Sequence, residues 1–395
     1  MNNKYITQIN ALRGFAAIAI VFHHAASMLH NRLNIQLPFE SFFIDKAYLA
    51  VDLFFILSGF IMMHVYQHKF ATISVSQYMS FIKNRFARVY PIYFTVLAMM
   101  GLGYYLFDQV LLKGAISSMP AFHNSHYELS GFSFLTNLLM IQSWHLHEKF
   151  SWNMPAWSVS CEWFVYLLAP FLIQQFVKMK GLIKPVIMFI ACLVLLTQMP
   201  QYLFQTSGLS FMTVSYGNLR IVYEFCMGLC TYLIYCSLDN GPLRGFYDIG
   251  FIIISVLLLA VLSGTAEEHY GLTVSLFSLL ILFCALSSSH ISRFLSAKLL
   301  FYLGEISYSL YIIHFVLLGG LSLLLKKFIH VDTLSTPEYV LYLAFSAVLC
   351  AVAAHFAYQY IEIPGRKLLR NGNGLKLPFL ASPSQLPRNN EGSVS

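Results

Sequence analysis

Charged residues are scarce in this 395-residue chain. Lys, Arg, Asp and Glu make up 10% of it, whereas soluble proteins carry about 25%. Hydrophobic residues make up 58%, which is more apolar sequence than a single soluble core would bury. The shortage of charge therefore excludes an ordinary soluble protein. It predicts an all-α, polytopic membrane protein, because helices satisfy their own backbone polar groups inside lipid.

Paired cysteines, zinc-ligand spacing and a cleavable leader are missing as well. The seven cysteines all lie in or beside apolar stretches, and none is combined with histidines as in a zinc site. No small-residue cleavage site follows the first apolar stretch. We therefore expect no disulfide, no metal site and no permanently bound cofactor, and we expect the first stretch to remain as a membrane anchor.

Ten stretches are long and apolar enough to span a bilayer, which takes about 20 residues. They cover residues 10–29, 48–66, 89–111, 156–177, 184–203, 218–237, 247–264, 270–288, 299–325 and 339–361. The stretch 131–143 is apolar but short, and we interpret it as interfacial or re-entrant.

The basic residues support this threading. The net charge is +7, but Lys and Arg cluster in short loops between spans, which fits the positive-inside rule better than nucleic-acid binding. With the N-terminus inside, 17 of the 24 basic residues fall on the inner side. We therefore expect a multi-pass protein with both termini in the cytoplasm, surrounded by membrane lipids and without a nucleic-acid partner.

Two regions follow from the composition. Residues 1–365 form the predicted membrane domain, and residues 366–395 form a predicted cytoplasmic tail, which from about 371 is rich in Gly, Asn, Pro and Ser and is expected to be disordered. We find no internal sequence repeat, which argues against a transporter built from inverted halves.

Several ionisable residues lie inside the predicted spans. At a rise of 1.5 Å per residue, His24, Asp52 and Glu162 all come within the outer third of the membrane, while His314 lies near mid-depth. Glu224 lies at a comparable depth. Each such group costs about 2.5–3.5 kcal/mol to insert unpaired, and a histidine oriented by a carboxylate is the usual form of a general base. The cluster therefore indicates catalysis; helix packing alone is the alternative.

A second feature lies at the inner face. The segment FIKNRFARVYPIY places Arg85 and Arg88 just before the third span, at i, i+3 on one helix face. The planar fork of arginine suits phosphate. The alternative is that these residues only set topology and contact lipid head groups. A phosphorylated donor inside and an acceptor outside would account for both features.

Five blocks, in this order along the chain, carry a resemblance to a known family. They are ALRGFAAIAIVFHHA, with His24 eleven residues after Arg13; AVDLFFILSGF at 50–60; NRFARVYPIY at 84–93; NMPAWSVSCEWFVY at 153–166; and GEISYSLYIIH at 304–314. Together they resemble the acyltransferase 3 family of integral-membrane acyltransferases over about residues 5–365. The family usually has Gly where this chain has Ala50.

The resemblance implies transfer of an acyl group, most often acetyl, from cytoplasmic acyl-coenzyme A. The implied acceptor is a hydroxyl of a bacterial envelope carbohydrate, such as O-antigen, exopolysaccharide or capsule, or its lipid-linked precursor, and the implied location is the cytoplasmic (inner) membrane. His24 would be the catalytic base, with Asp52 and Glu162 as further catalytic residues. Arg85 and Arg88 would bind the coenzyme A phosphates.

The remaining candidates are expected to contact substrate: Arg13, Trp157, Arg220 and His314. Some family members carry an additional extracytoplasmic SGNH-type domain; this sequence shows none, so we expect it to act alone or with a separate partner. Two alternatives stay open. One is a proton-coupled transporter or flippase of an envelope precursor, with His24 and the carboxylates as a proton relay. The other is a structural membrane subunit.

Overall fold

The computed structural model describes residues 6–38, 42–106, 127–204, 212–239, 246–263, 269–328 and 333–370. Within these ranges each of the ten predicted spans overlaps a helix. Eight helices are long and apolar enough to cross a membrane, and the shorter apolar helices Tyr247–Leu262 and Tyr270–Leu286 take the other two places. The prediction of an all-α polytopic membrane protein is confirmed.

The helices follow each other as α1 (Ile9–Leu33), α2 (Ala50–Tyr66), α3 (Val75–Gly103), α4 (Gly131–Leu138), α5 (Ala156–Phe176), α6 (Ile183–Phe204), α7 (Gly217–Leu238), α8 (Tyr247–Leu262), α9 (Tyr270–Leu286), α10 (His290–Leu295), α11 (Lys298–Phe328), α12 (Thr336–Ala357) and α13 (Ile363–Arg370). Short helical turns at Phe42–Asp45 and Ala47–Leu49 precede α2. A π-helix, Tyr358–Glu362, joins α12 to α13. The two-residue strands β1 (Tyr127–Glu128) and β2 (Phe150–Ser151) pair in parallel.

The third span begins well before its predicted start at residue 89. Ser74 caps the helix, because its hydroxyl accepts the backbone N–H of Gln77 at 3.2 Å while the Gln77 side chain accepts the N–H of Ser74 at 3.0 Å. As a result α3 runs from Val75, and Arg85 and Arg88 lie inside the helix rather than just before it.

Helices α1 and α11 pack side by side and run in the same direction. Near their starts, a Cβ on Gly304 would come within 2.1 Å of the carbonyl oxygen of Asn10. Further along, the rings of His24 and His314 lie 5.2 Å apart. Glycine is required at position 304 because any side chain would push the two helices apart.

Helices α2 and α7 make a similar close pair. A Cβ on Gly59 would lie 2.1 Å from the carbonyl oxygen of Phe225, and one on Gly228 would lie 2.1 Å from that of Ile56. Small residues at such a crossing let two membrane helices approach closely. This contact holds the middle of α2 against the middle of α7.

The stretch 131–143 does not span the membrane. Its helix, α4, has eight residues, which at 1.5 Å each is about 12 Å, far short of a bilayer core of about 30 Å. Ser133, Thr136 and Asn137 are buried, whereas Phe132 and Leu135 are exposed. The exposed side of α4 is therefore apolar, which suits contact with lipid.

The loop after α4 covers one side of α11. The Asn153 side-chain amide donates to the carbonyl oxygen of Ile312 at 2.9 Å. The hydroxyl of Tyr311 donates to the carbonyl oxygen of Pro155 at 3.0 Å. Two successive residues of α11 are therefore fixed by this loop.

The membrane domain continues past its predicted end at residue 365. That boundary falls inside α13, which packs on α3: a Cβ on Gly365 would lie 2.5 Å from the Cβ of Pro91. Arg366 is buried and pairs with Glu362. Residues 366–370 thus belong to the helical body, and the tail predicted from 371 lies outside the described residues.

Candidate active site

A cavity of about 140 Å³ lies between helices α1, α2, α3, α5, α11 and α13. Five arginines line it, namely Arg13, Arg85, Arg88, Arg366 and Arg370. Two glutamates, Glu162 and Glu305, line it as well, so positive charge is in excess. Toward the predicted outer side the lining changes to Ser158 and Tyr311. The cavity therefore joins a cationic inner end to an uncharged outer end, which Val51, Phe54 and Phe55 also line.

Arg85 is enclosed by aromatic rings. Its guanidinium lies 5.7 Å from the ring centroid of Tyr66 and 5.8 Å from those of Phe81 and Tyr166. Nη2 donates to the Tyr66 hydroxyl at 3.2 Å, while Nε is buried and has no hydrogen-bond partner among the described residues. Because its Nε–H has no partner among the described residues, Arg85 can still donate to an anion.

Arg88 is already engaged. It pairs with Glu362, which also pairs with Arg366, and the Ser309 hydroxyl donates to the second oxygen of that carboxylate at 2.6 Å. Arg88 also lies 5.8 Å from the ring centroid of Tyr308. A phosphate would have to share Arg88 with Glu362 or displace it.

Glu162 belongs to the arginine side of the site. One of its oxygens accepts the Tyr166 hydroxyl at 2.5 Å and the Ser58 hydroxyl at 3.5 Å. The ring centroid of Tyr166 in turn lies 5.8 Å from the Arg85 guanidinium. The sequence predicted Asp52 or Glu162 beside His24; the hydrogen bonds of Glu162 in the described structure run to other groups.

Asp52 forms a separate buried cluster. Arg220 Nε donates to its carboxylate at 2.7 Å, and Nη2 lies 2.5 Å from the same oxygen. The Tyr270 hydroxyl donates to Glu224 at 2.6 Å and lies 3.3 Å from Asp52. Arg220 also lies 5.7 Å from the ring centroid of Trp157. The predicted substrate contacts Arg220 and Trp157 are thus brought together with Asp52.

The two predicted histidines do come together. The rings of His24 and His314 are stacked, with centroids 5.2 Å apart and planes inclined by 28°. Both side chains are buried. His23 lies on the other side, with its ring centroid 5.0 Å from that of His24 and its Nδ1 3.0 Å from the carbonyl oxygen of Ile44. His24, not His23, therefore faces α11.

Tyr311 stands between the cavity and the histidines. It lines the cavity, and its ring centroid lies 5.8 Å from that of His314. Its hydroxyl lies 2.7 Å from the Ser158 hydroxyl. The cavity thus ends one aromatic ring short of His314.

The sequence reasoning missed Arg366, Arg370 and Tyr311. The first two were assigned to the tail, although Glu362, Arg366 and Arg370 repeat at i, i+4, which is a helical signal. Tyr311 lies three residues before His314 in the last quoted block, one turn away on the same helix face. Of the predicted residues, Arg13, Arg85, Arg88 and Glu162 line one cavity.

Comparison with known proteins gives a consistent result. A family model described as an acyltransferase domain matches residues 6–355. A protein of Staphylococcus aureus (strain COL), named provisionally as an O-acetyltransferase, is 24% identical over 385 residues, covering 92% of this chain and 58% of its own length. The chain therefore spans little more than half the length of that relative. No solved structure matches.

Two further relatives differ in length. Acyltransferase MdmB of Streptomyces mycarofaciens is 25% identical over 415 residues, covering 96% of this chain and 95% of the relative. A protein of Rhizobium radiobacter, described as protein 2 in the picA locus, is 40% identical over 95 residues, covering 23% of this chain and 42% of its own length. The match to MdmB is thus nearly end to end.

Proposed function

The chain belongs to the acyltransferase 3 family, whose model spans residues 6–355, and on this premise we propose that it moves an acyl group from acyl-coenzyme A to a hydroxyl of a bacterial envelope carbohydrate. Acetyl is the proposed group because a similar protein is named for O-acetyl transfer. The observation that carries the proposal is the arginine-lined cavity, which ends one aromatic ring, Tyr311, short of His314, and the ring of His314 stacks on that of His24. The proposed location is the cytoplasmic membrane.

The donor would enter from the arginine end. Coenzyme A carries several phosphates, and arginine forks bind phosphate by paired, charge-assisted hydrogen bonds. Arg85 offers unpartnered donor capacity, and Arg13, Arg366 and Arg370 surround the same space. The narrow, partly apolar cavity beyond them suits the thioester arm. Membrane lipids and the envelope glycan would be the other partners.

His24 would act as the base at the outer end. It removes the proton from the acceptor hydroxyl as the hydroxyl oxygen attacks the thioester carbonyl; the carbon–sulfur bond breaks, and the proton passes to the departing thiolate. The products are the O-acyl ester and free coenzyme A. A transient acyl-histidine is the variant of this scheme, in which His24 itself attacks first.

The carboxylates take other parts in this proposal. Glu162 lies by Tyr166 and Arg85, so it would position the donor-binding arginine. Asp52 is fully buried in the ion pair with Arg220, so it would fix the start of α2 against α7. Neither is needed to orient His24.

The test uses purified protein in detergent, acetyl-coenzyme A labelled in the acetyl group, and polysaccharide extracted from the envelope of the source cells. We expect label in the polysaccharide and stoichiometric release of free thiol. His24→Ala should lower transfer at least about 100-fold, the usual minimum for removing a general base. His23→Ala removes an imidazole from the neighbouring position and should change the rate of transfer only slightly.

The result also separates the alternatives. A transporter or flippase would move its solute without forming a labelled ester or releasing coenzyme A. Full transfer by a folded His24→Ala protein would disprove the role of His24, and lack of transfer by the unaltered protein would disprove the acyl transfer itself.

A further inference from the structure

Helix α13 helps to form the arginine end of the cavity, although it lies outside the family match. The family model ends at residue 355, and α13 runs over Ile363–Arg370. It packs closely on α3, because a Cβ on Gly365 would lie 2.5 Å from the Cβ of Pro91. The π-helix Tyr358–Glu362 leads into it, and such turns occur frequently at functional sites. The family assignment therefore leaves the role of α13 open.

Arg366 is the buried arginine of this helix, and Glu362 holds it in place. Its Nη2 donates to one oxygen of the Glu362 carboxylate, which also pairs with Arg88. The other oxygen accepts the Ser309 hydroxyl at 2.6 Å. Glu362 is fully buried and has partners on α3, α11 and α13, so the guanidinium of Arg366 is fixed against this carboxylate.

Arg366 also has a donor that the described part of the protein does not use. Its Nε is buried and has no hydrogen-bond partner among the described residues. The residue is only 8% exposed, and it lines the cavity. One carboxylate between two guanidiniums leaves one positive charge uncompensated. Because arginine carries its N–H groups on three nitrogens, one nitrogen can stay on Glu362 while another binds a second anion.

The two glutamates that line the cavity are engaged elsewhere. Glu162 accepts the Tyr166 hydroxyl at 2.5 Å. Glu305 accepts the Asn10 side-chain amide at 2.9 Å and the Tyr358 hydroxyl at 3.2 Å. The second anion is therefore expected from a ligand. Phosphate oxygens match the arginine fork, and the proposed donor carries phosphates.

We infer that Arg366 is a donor-specificity residue: its Nε–H binds a phosphate oxygen of the coenzyme A thioester, so that the enzyme distinguishes this donor from thioesters without phosphate. The inference rests on the proposed acyl transfer. Glu362 stays on Nη2 throughout and positions the guanidinium. Arg85 on α3 and Arg366 on α13 then bind the donor from two helices that pack against each other.

Two donors separate this role from a purely structural one. Acetyl-pantetheine has the thioester arm of acetyl-coenzyme A but no phosphate. In purified Arg366→Gln protein, kcat/KM for acetyl-coenzyme A should fall about 10- to 100-fold, the equivalent of one hydrogen bond to a charged group. The kcat/KM for acetyl-pantetheine should not change. Lys367→Gln is the matched control, because Lys367 is exposed on the same helix, and it should leave both values unchanged.

A second variant keeps the test valid if Arg366→Gln does not fold. Arg366→Lys retains the charge and the ion pair with Glu362, but its single nitrogen cannot also replace Nε. It should show the same selective loss with acetyl-coenzyme A. An equal loss with both donors, or no loss in the folded variants, would overturn the inference. In either case transfer from acetyl-coenzyme A by the unaltered protein would still show that the proposed function holds.

Discussion

Arg85 is the arginine of the cavity with the most to offer a donor phosphate. Arg88 shares its charge with Glu362, whereas no ion pair to Arg85 is present among the described residues and its Nε is unpartnered. Arg85→Gln should therefore weaken acetyl-coenzyme A binding by about 10- to 100-fold, the equivalent of one hydrogen bond to a charged group. The measurement is the Kd in detergent, by titration calorimetry.

The control for this change lies two residues away. Lys83 is exposed on the same helix, and Lys83→Gln removes the same charge without touching the cavity. It should leave the Kd nearly unchanged. Equal weakening by both variants would mean that only net positive charge at the inner face matters, and a phosphate contact by Arg85 would be ruled out.

Individual polar residues show what a sequence can and cannot predict at this scale. Position along a helix gives height in the membrane, and His24, Asp52 and Glu162 share a similar predicted height. It does not give the direction in which each side chain turns. α2 turns Asp52 toward Arg220 on α7, and α5 turns Glu162 toward the arginine cavity. His24 is left with a neighbour from another quoted block, His314.

At the scale of helices, the pair α1 and α11 carries both histidines, so its spacing should control activity. A Cβ at Gly304 would lie 2.1 Å from the Asn10 carbonyl oxygen, which is backbone and cannot move aside. Gly304→Ala should therefore force the helices apart and cost about 1–3 kcal/mol of stability. It should also lower kcat, because His24 and His314 separate. Thermal unfolding in detergent and the transfer assay measure the two effects.

Gly320 is the matched control in the same helix. A Cβ there would have no neighbour within 4 Å, and alanine in a helix is better than glycine by about 0.5–1 kcal/mol. Gly320→Ala should keep full activity and unfold at the same or a higher temperature. If Gly304→Ala behaved in the same way, close packing would not be the reason for glycine at 304.

The helices themselves were largely predictable, and their ends were not. Long apolar runs predict the ten apolar helices, because a bilayer demands about 20 such residues; eight of the ten are long and apolar enough to cross a membrane. The capping box at Ser74 and Gln77 lies in polar sequence, outside any apolar run, so the early start of α3 was missed. The helix α13 was missed for a similar reason. It follows the last apolar run, and its Arg366 is held by an ion pair with Glu362 rather than by apolar contacts.

At the scale of the whole molecule, the arginines and the histidines occupy opposite ends of one path. Arg13 lies near the start of the helix that carries His24, and His24 follows eleven positions later, or about 16 Å along the helix. Donor phosphates at one end and the reacting hydroxyl at the other make the proposed reaction directional. The positive-inside bias of the loops predicts that the arginine end faces the cytoplasm.

Directionality can be measured with membrane vesicles of opposite sidedness. Acetyl-coenzyme A is too highly charged to cross a bilayer unaided, so it reaches the arginine end only from the face on which it is added. Inverted vesicles, with the cytoplasmic face outward, should incorporate label into endogenous envelope glycan as soon as labelled acetyl-coenzyme A is added. Right-side-out vesicles should do so only when permeabilised or loaded internally, and both kinds should reach the same rate once permeabilised.

Equal labelling of intact vesicles of both kinds, or labelling only of right-side-out vesicles, would show that the arginine end does not face the cytoplasm. Because the expected difference depends on the position of the whole cavity, it holds whichever histidine proves to be the base.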